Sequence, residues 1–170
     1  MKPGVAVDTN VPVEANDLSG DNPDCALACV EKLREIRSRY RVLLDSGNLI
    51  LDEYRKNLSP RGQPGLGDAF FKWLWDNQEN KQVCRKVLIT PHQTRGFVEF
   101  PDDPALARFD RSDRKFVAAV IASGEKAAIV NAVDTDWWDY GDALKRHGVT
   151  VLFLCPELME GSRRPKKNRG

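Results

Sequence analysis

Gly4-Val5-Ala6-Val7-Asp8-Thr9-Asn10, close to the amino terminus, is the stretch that decides the fold of this chain. Its short apolar run stops at a carboxylate, which is typical of a buried parallel strand with an acid at its carboxyl end. Open α/β sheets place their active sites at this end of their strands. The stretch therefore predicts a parallel sheet with Asp8 at its functional edge.

The rest of the chain alternates strands with helices. We predict strands at 4–7, 40–45, 87–90, 127–131 and 149–154, and helices at 23–38, 49–58, around 69–75, at 112–121 and at 137–147. Between Asp8 and the first helix we expect a polar loop. Such alternation predicts a mainly parallel sheet covered by helices on both faces, joined by right-handed crossovers. The expected fold class is α/β, a three-layer α/β/α sandwich.

Three further acids stand in later strand and helix units, at positions that correspond to that of Asp8 in the first. Glu53 lies beside the apolar stripe of the second helix, Asp113 opens a later helix, and Asp134 follows the penultimate strand. We expect these four carboxylates to converge on one edge of the sheet. Carboxylate oxygens are preferred ligands of hard divalent cations, so the four acids predict a metal site.

Glu53 and Asp113 each also have a structural explanation when taken alone. Glu53 could form an ion pair with Arg55 or Lys56 of a neighbouring turn. An acid at position 113 would stabilise the macrodipole of the helix that it opens. Asp110 is a possible substitute for Asp113. Only the combination of acids favours the metal site over these local roles.

Length and composition favour one domain followed by a tail. The 170 residues carry 26 basic and 25 acidic side chains, a net charge of +1 that argues neither for nor against nucleic acid. We expect a domain over residues 1–158, with an inserted loop and helix at 59–82, and a disordered basic tail at 159–170. The tail either attracts phosphates or is a solvated terminus, and both interpretations stand.

Cysteine usage and hydropathy favour a soluble cytoplasmic protein without a signal peptide. No apolar run approaches the ~18 residues that a membrane span requires. The four cysteines form no C-x-x-C pair, so we expect buried free thiols in a reducing cytosol. They are Cys25, Cys29, Cys84 and Cys155.

Four segments together resemble the PIN-domain family of metal-dependent nucleases, over about residues 4–156. The segments are V-A-V-D-T-N, I-L-D-E-Y-R-K-N-L, S-D-R-K-F-V-A-A-V and I-V-N-A-V-D-T-D-W-W. The resemblance implies a PIN-like fold in which four catalytic acids hold one or two Mg²⁺ or Mn²⁺ ions. Those acids are Asp8, Glu53, Asp113 and Asp134, with Asn10 and Thr9 in support of the first.

The fourth acid stays open between two positions. The family usually places it one or two residues after a Thr or Ser at the strand end, where this chain has Asn131. Alignment on the aromatic residue that follows favours Asp134. Asp136 also fits, either as a second ligand or in place of Asp134.

The resemblance further implies an endoribonuclease that hydrolyses phosphodiester bonds by metal-activated water. Many bacterial members of the family are toxins held inactive by an antitoxin protein, and a homodimer is a further expectation. Candidate substrate-binding residues are Arg61, His92, Arg114 and Lys115. A surface or satisfied structural role is the more common one for a single loop histidine such as His92.

Three alternatives compete with the nuclease. A phosphatase of the haloacid-dehalogenase type would need a second Asp two residues after the first, where this chain has Asn10. A receiver-type binding module would need an Asp after the third strand, where Thr90-Pro91 stands. The third alternative is an inactive PIN-like protein that serves as a binding scaffold.

Overall fold

Five parallel strands form the central sheet in a computed structural model that describes residues 1–160. The chain also has a two-stranded antiparallel hairpin, β4 with β5. In chain order the strands are β1 (Gly4–Val7), β2 (Arg41–Asp45), β3 (Cys84–Val87), β4 (Pro91–His92), β5 (Gly96–Phe97), β6 (Ala128–Asn131) and β7 (Thr150–Phe153). The order across the main sheet is β3-β2-β1-β6-β7.

Helices flank this sheet, so the predicted three-layer α/β/α sandwich is confirmed. They are α1 (Asn10–Ala15), α2 (Pro23–Arg39), α3 (Leu49–Asn57), α4 (Leu66–Asp76), α5 (Arg114–Ser123), α6 (Thr135–Asp139), α7 (Gly141–Arg146) and α8 (Pro156–Glu160). Short 3-10 turns lie at Pro104–Leu106 and Arg111–Asp113. Within residues 1–160, no helix has both the length and the apolar character needed to cross a membrane.

The strand order changes direction between β1 and β6. From β1 the chain builds outward through β2 and β3, and then it returns to the other side of β1 for β6 and β7. The loops after β1 and β6 therefore leave in opposite directions and open a crevice, the usual ligand site of such sheets. The backbone N–H of Asp8 donates to the carbonyl of Val130 at 3.0 Å, which fixes the two strand ends side by side.

Buried acids and stripes of apolar residues determine where the helices lie. Five buried side chains of α2 line the predicted stripe: Ala26, Cys29, Val30, Leu33 and Ile36. Asp45 at the end of β2 is fully buried, and its carboxylate accepts the N–H groups of Leu49 and Ile50, both at 2.9 Å. This carboxylate satisfies donors that the first turn of α3 would otherwise leave unpaired. Asp45 is thus a structural acid.

The third strand lies three residues earlier than the predicted 87–90. It begins at Cys84 and carries charged side chains, which conceal it from an apolar pattern. An edge strand tolerates charge because one of its sides has no neighbouring strand. Here Arg85 binds Glu125 at 2.8 Å, and Lys86 forms an ion pair with Glu79.

The segment after Asp8 is helical, where a polar loop was expected. Within α1 the side chains of Val11, Pro12 and Ala15 are buried. Packing therefore stabilises a helix that the sequence pattern does not predict. α4 lies directly against α1, because a Cβ atom added at Gly67 would come within 1.7 Å of the Pro12 carbonyl oxygen. Only glycine allows this approach.

α4 belongs mainly to the core. The side chains of Phe70, Phe71 and Leu74 are buried. Trp73 is half-buried beneath the guanidinium of Arg37, 4.9 Å from its ring centre. Trp75 is 42% exposed on the outer side of the helix.

The carboxyl-terminal elements differ from the prediction in two details. The helix expected at 137–147 is divided into α6 and α7 at Tyr140, and Pro156 begins α8, in agreement with the preference for proline at the first helical position. Met159 is buried, so α8 extends the packed part of the chain beyond residue 158. The rest of the basic tail, residues 161–170, lies outside the described residues.

The prediction of four free thiols is wrong for two cysteines. Cys25 and Cys155 form a disulfide with 5.5 Å between their Cα atoms, whereas Cys29 and Cys84 are buried thiols. The paired cysteines are 130 positions apart, and only the fold brings the start of α2 against the segment after β7. Four free thiols were an argument for a location in a reducing cytosol. With the disulfide present, the cysteines no longer support that prediction.

Candidate metal centre

Three acids from three distant segments meet at the crevice between β1 and β6. Asp8 follows β1, Asp134 follows β6, and Asp113 immediately precedes α5. Each offers a carboxylate oxygen, and these oxygens all lie within 4.8 Å of one another. We call Asp8, Asp113 and Asp134 the carboxylate cluster. It occupies the switch point that the strand order defines.

Asp8 is held on both of its carboxylate oxygens. Its Oδ2 atom accepts the indole Nε1–H of Trp137 at 2.5 Å, and its Oδ1 atom accepts the backbone N–H of Asn10 at 3.1 Å. Trp137 is completely buried, so its indole cannot turn away from the acid. Such partners fix the direction of a ligand oxygen in metal sites.

Burial makes the ionised form of two acids unfavourable in the absence of a cation. It raises the pKa of Asp8 to about 7, although the hydrogen bonds from Asn10 and Trp137 act in the opposite direction. Burial is the main cause that raises the pKa of Asp113 to about 9. The charge of Asp8, and then a side-chain hydrogen bond with Asp134 and its charge, act in the same direction. Negative charges that repel one another in a buried site are the charges that a bound cation neutralises.

One oxygen of the cluster lacks a protein partner. Among the described residues, Asp113 Oδ2 is buried and accepts no hydrogen bond. A buried carboxylate oxygen in this condition costs free energy unless something else binds it. Its neighbours are carboxylates, so a hard divalent cation such as Mg²⁺ or Mn²⁺ fits the donor set. Asp8, Asp113 and Asp134 would hold it.

Asp136 belongs to a second group of acids that shares Asp113. Ligand oxygens of Asp110, Asp113 and Asp136 also lie within 4.8 Å of one another. Asp134 accepts the backbone N–H of Asp136 at 3.0 Å and thereby caps α6. The structure thus places both candidates for the fourth acid near Asp113, but it brings only Asp134 next to Asp8.

Glu53 lies beside the carboxylate cluster and is engaged in an ion pair. Its Oε1 atom accepts from Lys115 Nζ at 2.9 Å, and its Oε2 atom accepts from the hydroxyl of Thr9. The ion pair that was considered for Glu53 thus exists, but with Lys115. Arg55 instead contacts Asp52 at 3.4 Å.

Asn10 connects the two strand ends that form the crevice. Its side chain donates to Asn131 Oδ1 at 2.8 Å and accepts the backbone N–H of Ala132 at 2.8 Å. Asn131 also accepts the backbone N–H of Asp134 at 3.2 Å. Asn10 therefore positions the loop that carries Asp134 as well as Asp8 itself.

Two of the four candidate substrate-binding residues have structural roles. Arg114 is buried, donates to the carbonyl of Phe109 at 2.8 Å and lies 4.6 Å from the ring centre of Phe100. His92 accepts the backbone N–H of Arg95 at 3.1 Å inside the β4–β5 hairpin. Both side chains therefore have partners within the segment from β4 to α5.

A groove of about 490 Å³ lies between α3 and the segment before α5, and its wall includes Glu53 and Ser112, the chain neighbour of Asp113. Its wall also includes Lys56, Arg111 and Lys115, with Phe97 from β5 as an aromatic surface. Lys56 and Arg111 are exposed. Arg61 lies elsewhere, in a separate cavity of about 450 Å³ beside Trp75.

Trp137 is the site residue that the sequence did not assign. The signal was its position directly after an acid-rich turn, in the aromatic pair that ends the fourth segment of the resemblance. It packs in the core, 5.0 Å from the ring of Phe109, and in addition its indole nitrogen binds Asp8. Comparison of the chain with protein-family models, curated proteins and solved structures finds no match.

Proposed function

We propose that this protein is a divalent-metal-dependent nuclease that hydrolyses phosphodiester bonds inside RNA. The observation that supports it most directly is the convergence of Asp8, Asp113 and Asp134, whose carboxylate oxygens lie within 4.8 Å of one another, with Asp113 Oδ2 buried and accepting no hydrogen bond. A bare cluster of acids would repel a phosphodiester, whereas the same acids around a hard cation attract it.

In the proposed site, three acids bind the cation and two further residues orient one of these acids. Asp8, Asp113 and Asp134 hold the cation, and Trp137 with the Asn10 backbone fixes the direction of Asp8. When bound, Mg²⁺ or Mn²⁺ lowers the pKa of a coordinated water and neutralises charge on the phosphate. The chain needs no nucleophilic side chain for this reaction, and we propose none.

The groove between α3 and the segment before α5 carries three cations, Lys56, Arg111 and Lys115, against two acids, Asp52 and Glu53. Lys56 and Arg111 lie on its wall and offer contacts to phosphates, while Phe97 offers a flat surface to a base. This arrangement favours a nucleic acid over a small phosphate ester. The choice of RNA rests on the PIN-domain resemblance. An antitoxin partner, a homodimer and a cytoplasmic location stay predictions from the sequence.

The test is cleavage of labelled single-stranded RNA and of a DNA of the same sequence by the purified chain. Each substrate is incubated with Mn²⁺, with Mg²⁺ and with a chelator, using wild type, Asp8→Asn and Asp21→Asn. Asp21 is an exposed acid in the loop before α2, so its variant is the matched control. We expect internal cuts in RNA that require metal and Asp8 but not Asp21.

Two results would contradict the proposal. One is RNA that stays intact with both metals, and the other is an Asp8→Asn variant that cuts as fast as wild type. Cleavage of DNA alone would retain the metal centre and change the substrate.

A further inference from the structure

A second group of potential metal ligands lies apart from the carboxylate cluster. Cys25 and Cys29 are one turn apart on α2, and Cys155 stands between β7 and α8. Their three sulfur atoms lie within 4.8 Å of one another, and no side chain of the three is more than 2% exposed. We call these residues the cysteine cluster.

We propose that the cysteine cluster binds Zn²⁺ when the Cys25–Cys155 disulfide is reduced. Zinc binds thiolate sulfur at about 2.3 Å, which places the sulfurs of a tetrahedral site about 3.8 Å apart. Reduction frees the Cys25 and Cys155 sulfurs to move apart from bonding distance, and the Cys29 sulfur already lies within 4.8 Å of both. This inference is independent of the proposed nuclease activity.

The third cysteine distinguishes this cluster from an ordinary structural disulfide. A disulfide needs two cysteines, and Cys29 is a thiol beside the bond. Burial raises the pKa of Cys29 to about 12, so at neutral pH it is not the thiolate that would attack the disulfide. Metal binding gives the third sulfur a role, because a thiol that coordinates a metal is deprotonated and releases its proton to solvent.

An acid near the cluster favours a cation. Glu14 on α1 lies close enough to Cys29 for its charge to raise the pKa of that thiol further. The same charge would attract a bound metal ion. Sulfur ligands select zinc over magnesium or manganese, so the cysteine and carboxylate clusters prefer different ions.

Reduction and binding balance as two separate steps. A dithiol reductant supplies two electrons and two protons, the Cys25–Cys155 bond breaks, and the reductant becomes a disulfide. Zn²⁺ then displaces the protons of three thiols, which pass to solvent. The disulfide and the zinc complex exclude each other, so the redox state of the cell would select between them.

Both states join the same two parts of the fold. The disulfide connects the start of α2 with the segment after β7, and a zinc ion would connect them through the same side chains. The reduced, metal-free protein would lack either connection. It should therefore be the least stable of the three forms.

The experiment is a Co²⁺ titration of the full chain, reduced under anaerobic conditions with a phosphine and freed of reductant. Co²⁺ takes the place of zinc and gives an intense sulfur-to-cobalt absorption band in the near ultraviolet. We expect one equivalent of this band in the reduced protein, its loss on addition of Zn²⁺, and no band in the oxidised protein.

Three variants locate the signal. Cys29→Ser should weaken binding by at least about 100-fold, since loss of even an outer-shell partner costs about 10–100-fold. Cys84→Ser is the matched control, because Cys84 is also a buried thiol but lies outside the cluster. Asp8→Asn should keep the band, so failure of this site and failure of the nuclease proposal are separate outcomes.

A measurement on the wild type covers the case in which Cys29→Ser does not fold. The reduced protein is treated with a thiol alkylator in mild denaturant, with and without Zn²⁺, and the modified cysteines are identified by mass spectrometry. Zinc should protect Cys25, Cys29 and Cys155 but not Cys84. Equal protection of all four cysteines, or no band in the reduced protein, would overturn the proposal.

Discussion

The carboxylate cluster and the cysteine cluster each bring three potential metal ligands within 4.8 Å, yet they differ in charge and in access. Asp8 is held by hydrogen-bond donors, Asp113 has one oxygen that accepts no hydrogen bond, and Ser112 beside it lines an open groove. The sulfurs are sealed in the core, and two of them are already bonded to each other. The first arrangement suits catalysis on a substrate from solvent, and the second suits a structural ion.

The two proposals assign two kinds of metal chemistry to different parts of the fold. Closed sites with sulfur ligands are typical of structural zinc, whereas catalytic sites keep an open position. We propose the crevice between β1 and β6 for the open site, and the cysteine cluster at the start of α2 for the closed one. The predictions below test that separation, in order of expected effect.

The largest effect is expected from Asp113→Asn. This change removes the carboxylate that both acid groups share, and with it several kcal/mol of metal-dependent stabilisation of the transition state, or about 1000-fold in rate. Initial rates of RNA cleavage in Mn²⁺ measure the loss. Cys84→Ser serves as the control and should cleave at the wild-type rate. A near-normal rate for Asp113→Asn would remove the catalytic role from the carboxylate cluster.

A smaller loss is expected from Trp137→Phe. Phenylalanine keeps an aromatic ring but cannot donate to Asp8 Oδ2, so that ligand oxygen is no longer fixed. We expect the affinity for Mn²⁺ to fall about 10–100-fold, as for other partners of metal ligands. Magnetic resonance of free Mn²⁺ during a titration measures it.

Trp73→Phe is the matched control for this change, because Trp73 is half-buried and packs under Arg37 far from the acids. It should bind Mn²⁺ like the wild type. If both variants weaken the affinity equally, the effect reflects general loss of packing and Trp137 has no particular role in the metal centre.

The two clusters also predict an unusual dependence of stability on pH. Asp8 and Asp113 have folded-state pKa values of about 7 and about 9, above the value of about 3.9 in an unfolded chain. Without metal the folded protein therefore binds more protons between about pH 4 and pH 9. The free energy of unfolding should fall across this window as pH rises, by several kcal/mol, since one unit of pKa shift corresponds to about 1.4 kcal/mol.

Thermal unfolding at pH 5, 7 and 9, in chelator and in Mn²⁺, measures this effect. Mn²⁺ binds the ionised acids, so its stabilising effect should grow as pH rises, and Asp113→Asn should flatten the curve in chelator. Cys29 contributes nothing below about pH 8, since its folded pKa of about 12 leaves it protonated there. A metal-free protein that becomes steadily more stable from pH 5 to pH 9 would contradict the raised pKa values.

The sequence indicated the carboxylate cluster because local rules determine where its members lie. An apolar run that ends at Asp8, and a second that leads to Asp134, are sufficient to place both acids on one edge of a parallel sheet. The alternation of elements likewise determined the three-layer fold. These features depend on nearby residues and on general rules of topology.

The features that were missed depend on distant residues. Spacing could not show that Cys155 meets Cys25, or that Lys115 rather than Lys56 pairs with Glu53. The predicted position of the third strand was wrong by three residues because the observed strand carries charged side chains. These side chains form ion pairs at the edge of the sheet, and a search for apolar runs does not detect them. The fold determines these contacts, so they become visible only with all elements in place.

The smallest effect concerns the two candidates for the fourth acid. Asp134 lies with Asp8 at the switch point, whereas Asp136 lies with the exposed Asp110. Asp134→Asn should therefore lower the cleavage rate about tenfold more than Asp136→Asn, a difference of about 1.4 kcal/mol. Asn caps helices about as well as Asp, so the first variant keeps the cap of α6 and isolates the loss of charge. The reverse ranking of rates in Mn²⁺ would transfer the fourth ligand to Asp136.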